Sequence, residues 1–542
     1  MAIDYINALN AGSGLNTVEI IDSLVDAERV PREQLINEGK DKKTVEISSL
    51  GKIKQQVEVF SSSIGVLDGQ TGVLIRNSSS AFGHTVDDRS VISPFNHDIQ
   101  VSQLAASQTL VFGGFASEDA VVGTGSLSFS KGSWDADSNS FTALAGVDPV
   151  AVSIDASANS LAGLRDAINT SQLDATASII QTAADSYALV IRSNPGASSS
   201  FKVTATEDVG NEGLADFAYT TVDPAKQVMA AADAVLLVDG VSVSRQSNQI
   251  SDLIEGVTLE LNATSAAAEK FSAEYDTELA EVAMQNFITS MNALTGELNS
   301  LSRRGTNGED SGPLAGDPFV RTLINTLRSY STTPIVGYGE DPIYLTTYGV
   351  STERDGSLSL DTEKFKQKFE SDPQSFLAFF QDKVSASSGM VDVSVSGNSY
   401  EPGVYAFDLQ DDGSALLDTA SMTRDDTTYR LSSGPASGLR VDLLNGGADS
   451  QIYMGRSLLS TLNSFATGVV SSSGSLNSKI QQYNDELLDY EDQLTALDTR
   501  MEQVRSRYAE QFGKMEAAVA SLKKTGEALD NMMEAWRAGL QN

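Results

Sequence analysis

Between Ile480 and Trp536 an apolar residue returns at every seventh position without a gap: Ile480, Leu487, Leu494, Met501, Tyr508, Met515, Leu522, Leu529 and Trp536. A seven-residue repeat keeps side chains on one slowly turning face of an α-helix. No proline interrupts the stretch, so the spacing predicts one very long helix or a helix pair. The second seam position opens with Tyr483, Tyr490, Leu497 and Val504, then weakens to Gln511, Ala518 and Thr525. The distal half is therefore expected to find a different partner from the proximal half. Met533 and Trp536 are expected to be buried in that partner rather than in the chain's own core.

The first 75 residues also read as helical. Val18, Ile21, Leu24 and Val25 form an apolar stripe expected to stop near Pro31, with a second helix after it. In that helix Leu50, Val57 and Ile64 stand seven apart, and Ile53, Phe60 and Leu67 fill the other seam position. The seams at 50–67 and 480–536 are natural partners for a stalk. Between them the period changes to two. Residues 98–112 begin with alternation, and strand candidates follow at 121–130, 149–155, 187–193 and 201–206, separated by Gly, Ser, Asn and Asp. A short helix is expected over Ser160–Asn169, and strand, turn, strand over 235–261. Helices return near 277–301, 318–330 and 361–380; short strands occupy 390–450, and the last helical section starts at about 453. The fold class is α+β and multidomain: terminal helices form a coiled-coil or bundle stalk, and β-rich domains are inserted between them.

The inventory of reactive groups is poor. There are no cysteines, which removes disulfides, thiolate metal sites and cysteine nucleophiles. His84 and His97 are the two histidines, and with Asp87, Asp88 and Asp98 nearby they read as polar loop residues rather than metal ligands. Asp135, Asp137 and Asn139 match the start of a calcium loop, but Ser140 stands where glycine is needed and Gly146 where a bidentate glutamate is needed. No G-x-S-x-G elbow, dinucleotide fingerprint or P-loop occurs. The expectation is no enzyme, no cofactor and no metal. A formal charge of −36 repels phosphate backbones and anionic lipid, so neither nucleic-acid binding nor membrane insertion is expected. The first residues lack the basic and apolar regions of a cleaved secretory signal.

Several segments together resemble the flagellar filament cap family, also called hook-associated protein 2. GSGLNTVEIIDSLVDAERVPREQL (12–35), with Gly12, Gly14, Leu15 and Ile20-Ile21-x-x-Leu24, is similar to its N-terminal signature. VDGVSVSRQSNQISDLIEGVTLEL (238–261) resembles its most distinctive run through Asp239, Gly240, Arg245, Ser247, Asn248 and Gly256. SLAGLRDAIN (160–169), GPLAGD (312–317), DGSLSLD (355–361) and QFGKMEAAVASL (511–522) keep the family's order. Residue by residue, the 238–261 run reads as architecture: Asp239-Gly240 suits a tight hairpin, and Arg245 with Ser247-Asn248 suits strand-tying hydrogen bonds.

The resemblance implies an oligomeric scaffold at the flagellum tip that helps exported flagellin fold and insert. It implies flagellin and further copies of the chain, in a ring, as partners, and an export chaperone before secretion. It implies an extracellular protein exported by the flagellar type III apparatus without a cleaved signal. Carried over, residues 1–40 and 500–542 would be a terminal helical leg, and 41–75, 277–385 and 453–499 a helical stalk. Residues 76–276 would be one or two β-rich plate domains and 386–452 a small inserted β unit. Flagellin or inter-subunit contact is expected at Ile20, Ile21, Leu24, Phe512, Met515, Leu522 and Trp536. The rival readings are a secreted adhesin and another hook-associated junction protein.

Overall fold

The computed structural model describes residues 14, 16–135, 137, 139–305, 310–397 and 399–539. Residues 1–13 and Leu15, which carry part of the N-terminal signature and of the expected leg, lie outside the described residues. The described helices are α1 (Thr17–Gly65), α2 (Leu161–Thr170), α3 (Thr277–Ser302), α4 (Pro318–Thr332), α5 (Thr362–Ser371), α6 (Leu377–Phe380), α7 (Leu458–Val470) and α8 (Ser475–Gly539). The chain divides into two units. One holds residues up to Asp68, Met284–Lys368 and everything from Ala378; the other holds Gly69–Ala283 with Phe369–Leu377.

The first unit is built on two long helices. α8 runs unbroken for 65 residues, about 100 Å at the rise of an α-helix. α1 runs for 49 residues, so the expected stop at Pro31 does not occur. Pro31 lies on the exposed side of α1, while Val25 before it and Ile36 after it pack into one cluster with α8. Packing on the far side thus holds the helix through the position where proline removes a hydrogen bond. The two helices run antiparallel, since Lys43 pairs with Glu486, Lys40 with Glu491, Arg29 with Asp498 and Asp22 with Arg505. Leu50, Ile53, Val57, Phe60 and Ile64 are buried. Near them Lys54 reaches Asn477 and Ser61 reaches Asn463, so this seam meets α7 and the first turns of α8 rather than the whole 480–536 seam.

The helix expected over 361–380 is two helices, because Pro373 cannot donate and holds the residue before it out of the helical region. The helical section expected from about 453 begins at Leu458; strand Ser450–Gly455 precedes it, with alternating burial. The strands of the inserted unit run from Lys383 to Gly455 in two antiparallel sheets around Phe407, Tyr429, Leu439, Val441, Ile452 and Met454.

The second unit contains two cores. A five-stranded sheet, ordered Val73–Asn77, Glu269–Tyr275, Phe95–Gln103, Ala234–Val238, Val241–Arg245, packs with a three-stranded sheet of Gln249–Ile254, Val257–Leu261 and Phe82–Val86. The other core lies between two four-stranded sheets and α2, around Leu127, Phe129, Leu164, Ile168, Phe201 and Phe217. Residues 98–112 divide between strands Phe95–Gln103 and Ser107–Phe115, which belong to different sheets. Asp135, Asp137 and Asn139 sit at the turn between Gly125–Asp135 and Ser140–Ala143, where Asn139 accepts from the Val222 N–H at 2.6 Å.

Candidate functional site

Two places in the fold draw the sequence's unusual residues together, one in each unit. In the first unit it is α8. Along its proximal part Leu497, Met501 and Val504 are buried against Ile21 and Val25, with Ile36, Tyr508 and Phe512 partly buried around them. The flanking heptad positions here carry charge, and Glu486, Glu491, Asp498 and Arg505 each meet an opposite charge on α1. A narrow apolar seam edged with ion pairs is the pattern of a helix that packs on one neighbour.

Beyond Lys514 the pattern changes. The flanking positions become Val519, Ser521, Gly526, Ala528, Met533 and Ala535. Every charge from Glu516 to Arg537 falls on the three remaining positions of the heptad. The apolar face therefore widens from two positions in seven to four, a width suited to two or more neighbours at once. No described residue covers it past Ser521: residues 521–537 are exposed, Leu522 at 71% and Trp536 at 65%. Met532 and Met533 join this open face. Met532 was not singled out from the sequence, although extending the Gln511, Ala518, Thr525 series by seven finds it.

The expected contact residues separate accordingly. Met515, Leu522 and Trp536 lie on the open face, and Phe512 sits half-buried where the helix pair ends. On α1, Ile20 and Leu24 line a shallow surface depression with Asn16, Glu19 and Ser23. Ile21 is only 4% exposed, packed on Leu497, Met501 and Val504. It belongs to the core of the helix pair, because α-helical spacing turns it 100° from Ile20.

In the second unit the residues of the 238–261 run hold strands together. Asp239 (φ 52°) and Gly240 (φ 83°) make a two-residue hairpin between Val238 and Val241, the left-handed turn that matches strand twist. The Asp239 carboxylate accepts from the Asp98 N–H at 2.8 Å and lies 2.7 Å from His97 Nδ1. Those two contacts, the backbone one first, hold its carboxyl below the usual range. Arg245 Nε bonds both Asp252 oxygens at 3.0 Å. Asn248 accepts from the Ala105 N–H at 2.8 Å and donates to the Ala105 carbonyl at 2.9 Å. The Ser247 hydroxyl accepts from the Gln249 N–H at 3.0 Å. Gly256 (φ 75°) receives the Asp87 and Asp88 N–H groups on its carbonyl, and a Cβ there would stand 2.4 Å from the Asp88 oxygen. These groups are consumed in joining strands.

The model of the flagellar hook-associated protein 2 C-terminus matches residues 231–524, more than half of the chain, and that of the N-terminus matches 13–108. The chain belongs to the flagellar hook-associated protein 2 family. It is 26% identical over 386 residues to the B-type flagellar hook-associated protein 2 of Pseudomonas aeruginosa, covering 67% of this chain and 78% of that one. It is 26% identical over 380 residues to the flagellar hook-associated protein 2 of Escherichia coli K12, covering 68% and 78%. The D1-D2-D3 domains of the flagellar cap protein FliD from Escherichia coli share its fold, with a TM-score of 0.55 at 21% identity over 80% of this chain and 99% of that one. Among the described residues no cluster of three or more His, Asp or Glu is placed to hold a metal ion. No described helix is long and apolar enough to cross a membrane.

Proposed function

We propose that this chain caps the distal end of the bacterial flagellum, as an oligomeric scaffold that promotes folding and insertion of exported flagellin. The observation that carries this reading is the family match over 231–524, a span that includes both the strand-tying run and most of α8. It favours a cap over an adhesin or a junction protein. The chain works outside the cell at the filament tip, reaches it through the flagellar type III apparatus, and is held by an export chaperone beforehand.

The open face of α8 supports a leg that touches the filament. Exposed Leu522, Leu529, Met532 and Trp536 leave apolar area in water that a helical partner removes. An arriving flagellin folds its own helices against Met515, Leu522 and Trp536, with Phe512, Ile20 and Leu24 at the upper margin of the contact. Burial of that surface supplies the free energy for each insertion, and no nucleotide is consumed. Ile21 acts through the helix pair, by fixing α1 on α8. The plate is assigned to residues 76–276.

An in-frame deletion tests the reading by filament length in electron micrographs and flagellin in the medium. Missing filaments with abundant soluble flagellin outside the cell, restored by complementation, are expected. Normal filaments in a strain without a second cap gene would overturn it.

A further inference from the structure

In a chain with 73 acidic residues against 37 basic ones, carboxylates outnumber the cations they can pair with, and some arginines hold a carboxylate. Arg29, Arg76, Arg165, Arg245, Arg440 and Arg505 each hold one. Arg304 and Arg321 hold none among the described residues, yet both line a single cleft of about 310 Å³ with Ser302, Gly316, Asp317 and Ile324. The cleft's own carboxylate is already committed. Asp317 Oδ1 accepts from the N–H groups of Phe319 and Val320, and Oδ2 accepts the Tyr483 hydroxyl at 2.5 Å. Buried Ile324 supplies an apolar wall. Gly316 (φ 87°) turns the chain beside Arg304, and even a Cβ there would stay 3.7 Å from the nearest guanidinium nitrogen, so the space stays open. Gly316 and Asp317 of the GPLAGD run thus line a walled recess whose two guanidinium groups hold no carboxylate among the described residues.

We propose that this cleft receives a carboxylate side chain from a second copy of this chain. A guanidinium matches a carboxylate in a planar, two-bond geometry, and an apolar wall strengthens the pair by keeping water off one side. A second copy brings carboxylates in plenty, since the chain carries 73 acidic residues and a formal charge of −36. A basic recess on one copy meets an acidic side chain elsewhere on the next, so the contact is head-to-tail and can close into a ring. This rests on the reading of the chain as a self-assembling cap.

Sedimentation velocity on the purified full-length chain tests it, for wild type, R304Q/R321Q and R304E/R321E, at low and high salt. Wild type should associate with an affinity that falls as salt rises. The glutamine pair should weaken association and lose most of its salt dependence. The glutamate pair should weaken it at least about tenfold at low salt, because like charges are then opposed. Circular dichroism should match wild type in both. Unchanged association in both variants at every salt concentration overturns the cleft's role. Intact self-association with lost flagellin binding also overturns it. A wild-type chain that stays monomeric overturns the self-assembly reading itself, a separate failure.

Discussion

A side-chain amide donates and accepts in one plane, so it can stand in for a neighbouring strand where a peptide edge would otherwise be bare. This chain uses the device repeatedly. Asn169 clasps both polar groups of Ala177, Asn248 those of Ala105 and Asn292 those of Leu358, all at 2.7–2.9 Å. Buried Gln108 holds the Phe201 N–H in the same manner at 2.7 Å. Replacing Asn248 with aspartate keeps the shape and removes the donor, leaving a carboxylate oxygen against the Ala105 carbonyl. The variant should lose about 1–3 kcal/mol in urea denaturation, and the alanine variant less than the aspartate one. Asn248 was visible in the sequence as a family residue at a corner; its partner was not, because 143 positions separate it from Ala105. Asp239 adds a pH signature. Its carboxyl is held below the usual range by the Asp98 N–H and then by His97. A depressed folded pKa means stabilisation present above the unfolded value and lost as pH falls through the folded one. Asp155, Asp355 and Asp412 shift the same way, each through the serine two residues on. Thermal stability should therefore fall below about pH 4, and D239N should lose less than wild type over that range.

At the scale of one helix, α8 presents two halves that should respond oppositely to truncation. Met501 is buried between the long helices, so Met501→Ala should cost about 2–5 kcal/mol of unfolding free energy. Leu522 is 71% exposed, so Leu522→Ala should change stability by no more than about 0.5 kcal/mol. Under the leg reading it should nonetheless impair filament growth, and Met515→Asp with Leu522→Asp should stop it. Normal filaments from that double variant, with wild-type melting, would remove the leg assignment. The heptad made the helix legible because a seven-residue period is local information. Pro31 misled because the hydrogen bond it removes from α1 is a local cost, whereas the α8 packing that offsets it comes from more than 450 residues away. Separation in sequence also hid the role of Tyr483, which read only as a seam residue and meets Lys43 and Asp317 from 440 and 166 positions away. Its ring lies under Lys43 and Lys479 at 3.9 and 4.4 Å, and its hydroxyl donates to Asp317, the N-cap of α4. Burial first, and then that bond, raise its phenol well above the ordinary range.

At the scale of the whole chain, the insertion between α6 and α7 is separable by its own topology. Its first and last strands pair antiparallel, Lys383 opposite Gly455 and Ala386 opposite Ile452, so the chain enters and leaves at neighbouring points. Between them the unit closes a core of its own, around residues such as Phe407, Tyr429 and Val441. The outer ends of the two strands cannot be removed, because the Met454 carbonyl and Gly455 lie against Gly337 and Tyr338. A cut that respects this joins Ala386 to Ile452 through a two-residue Asn-Gly turn, which suits the twist of an antiparallel pair. The loop to be ordered on folding becomes shorter, which lowers its closure entropy. The cut also removes Tyr400 of that core, with the bond from its hydroxyl to the Gly455 carbonyl at 3.0 Å and the bond from Arg456 to its own carbonyl at 2.6 Å, but neither bond involves α1 or α8. The shortened chain should therefore fold, keep the melting transition of the α1–α8 pair, and restore filaments to the deletion strain. If it folds and filaments stay absent, the inserted unit takes part in capping itself. If filaments return while adhesion to surfaces drops, the unit carries a separate binding role, and the cap function resides in the helices and the plate.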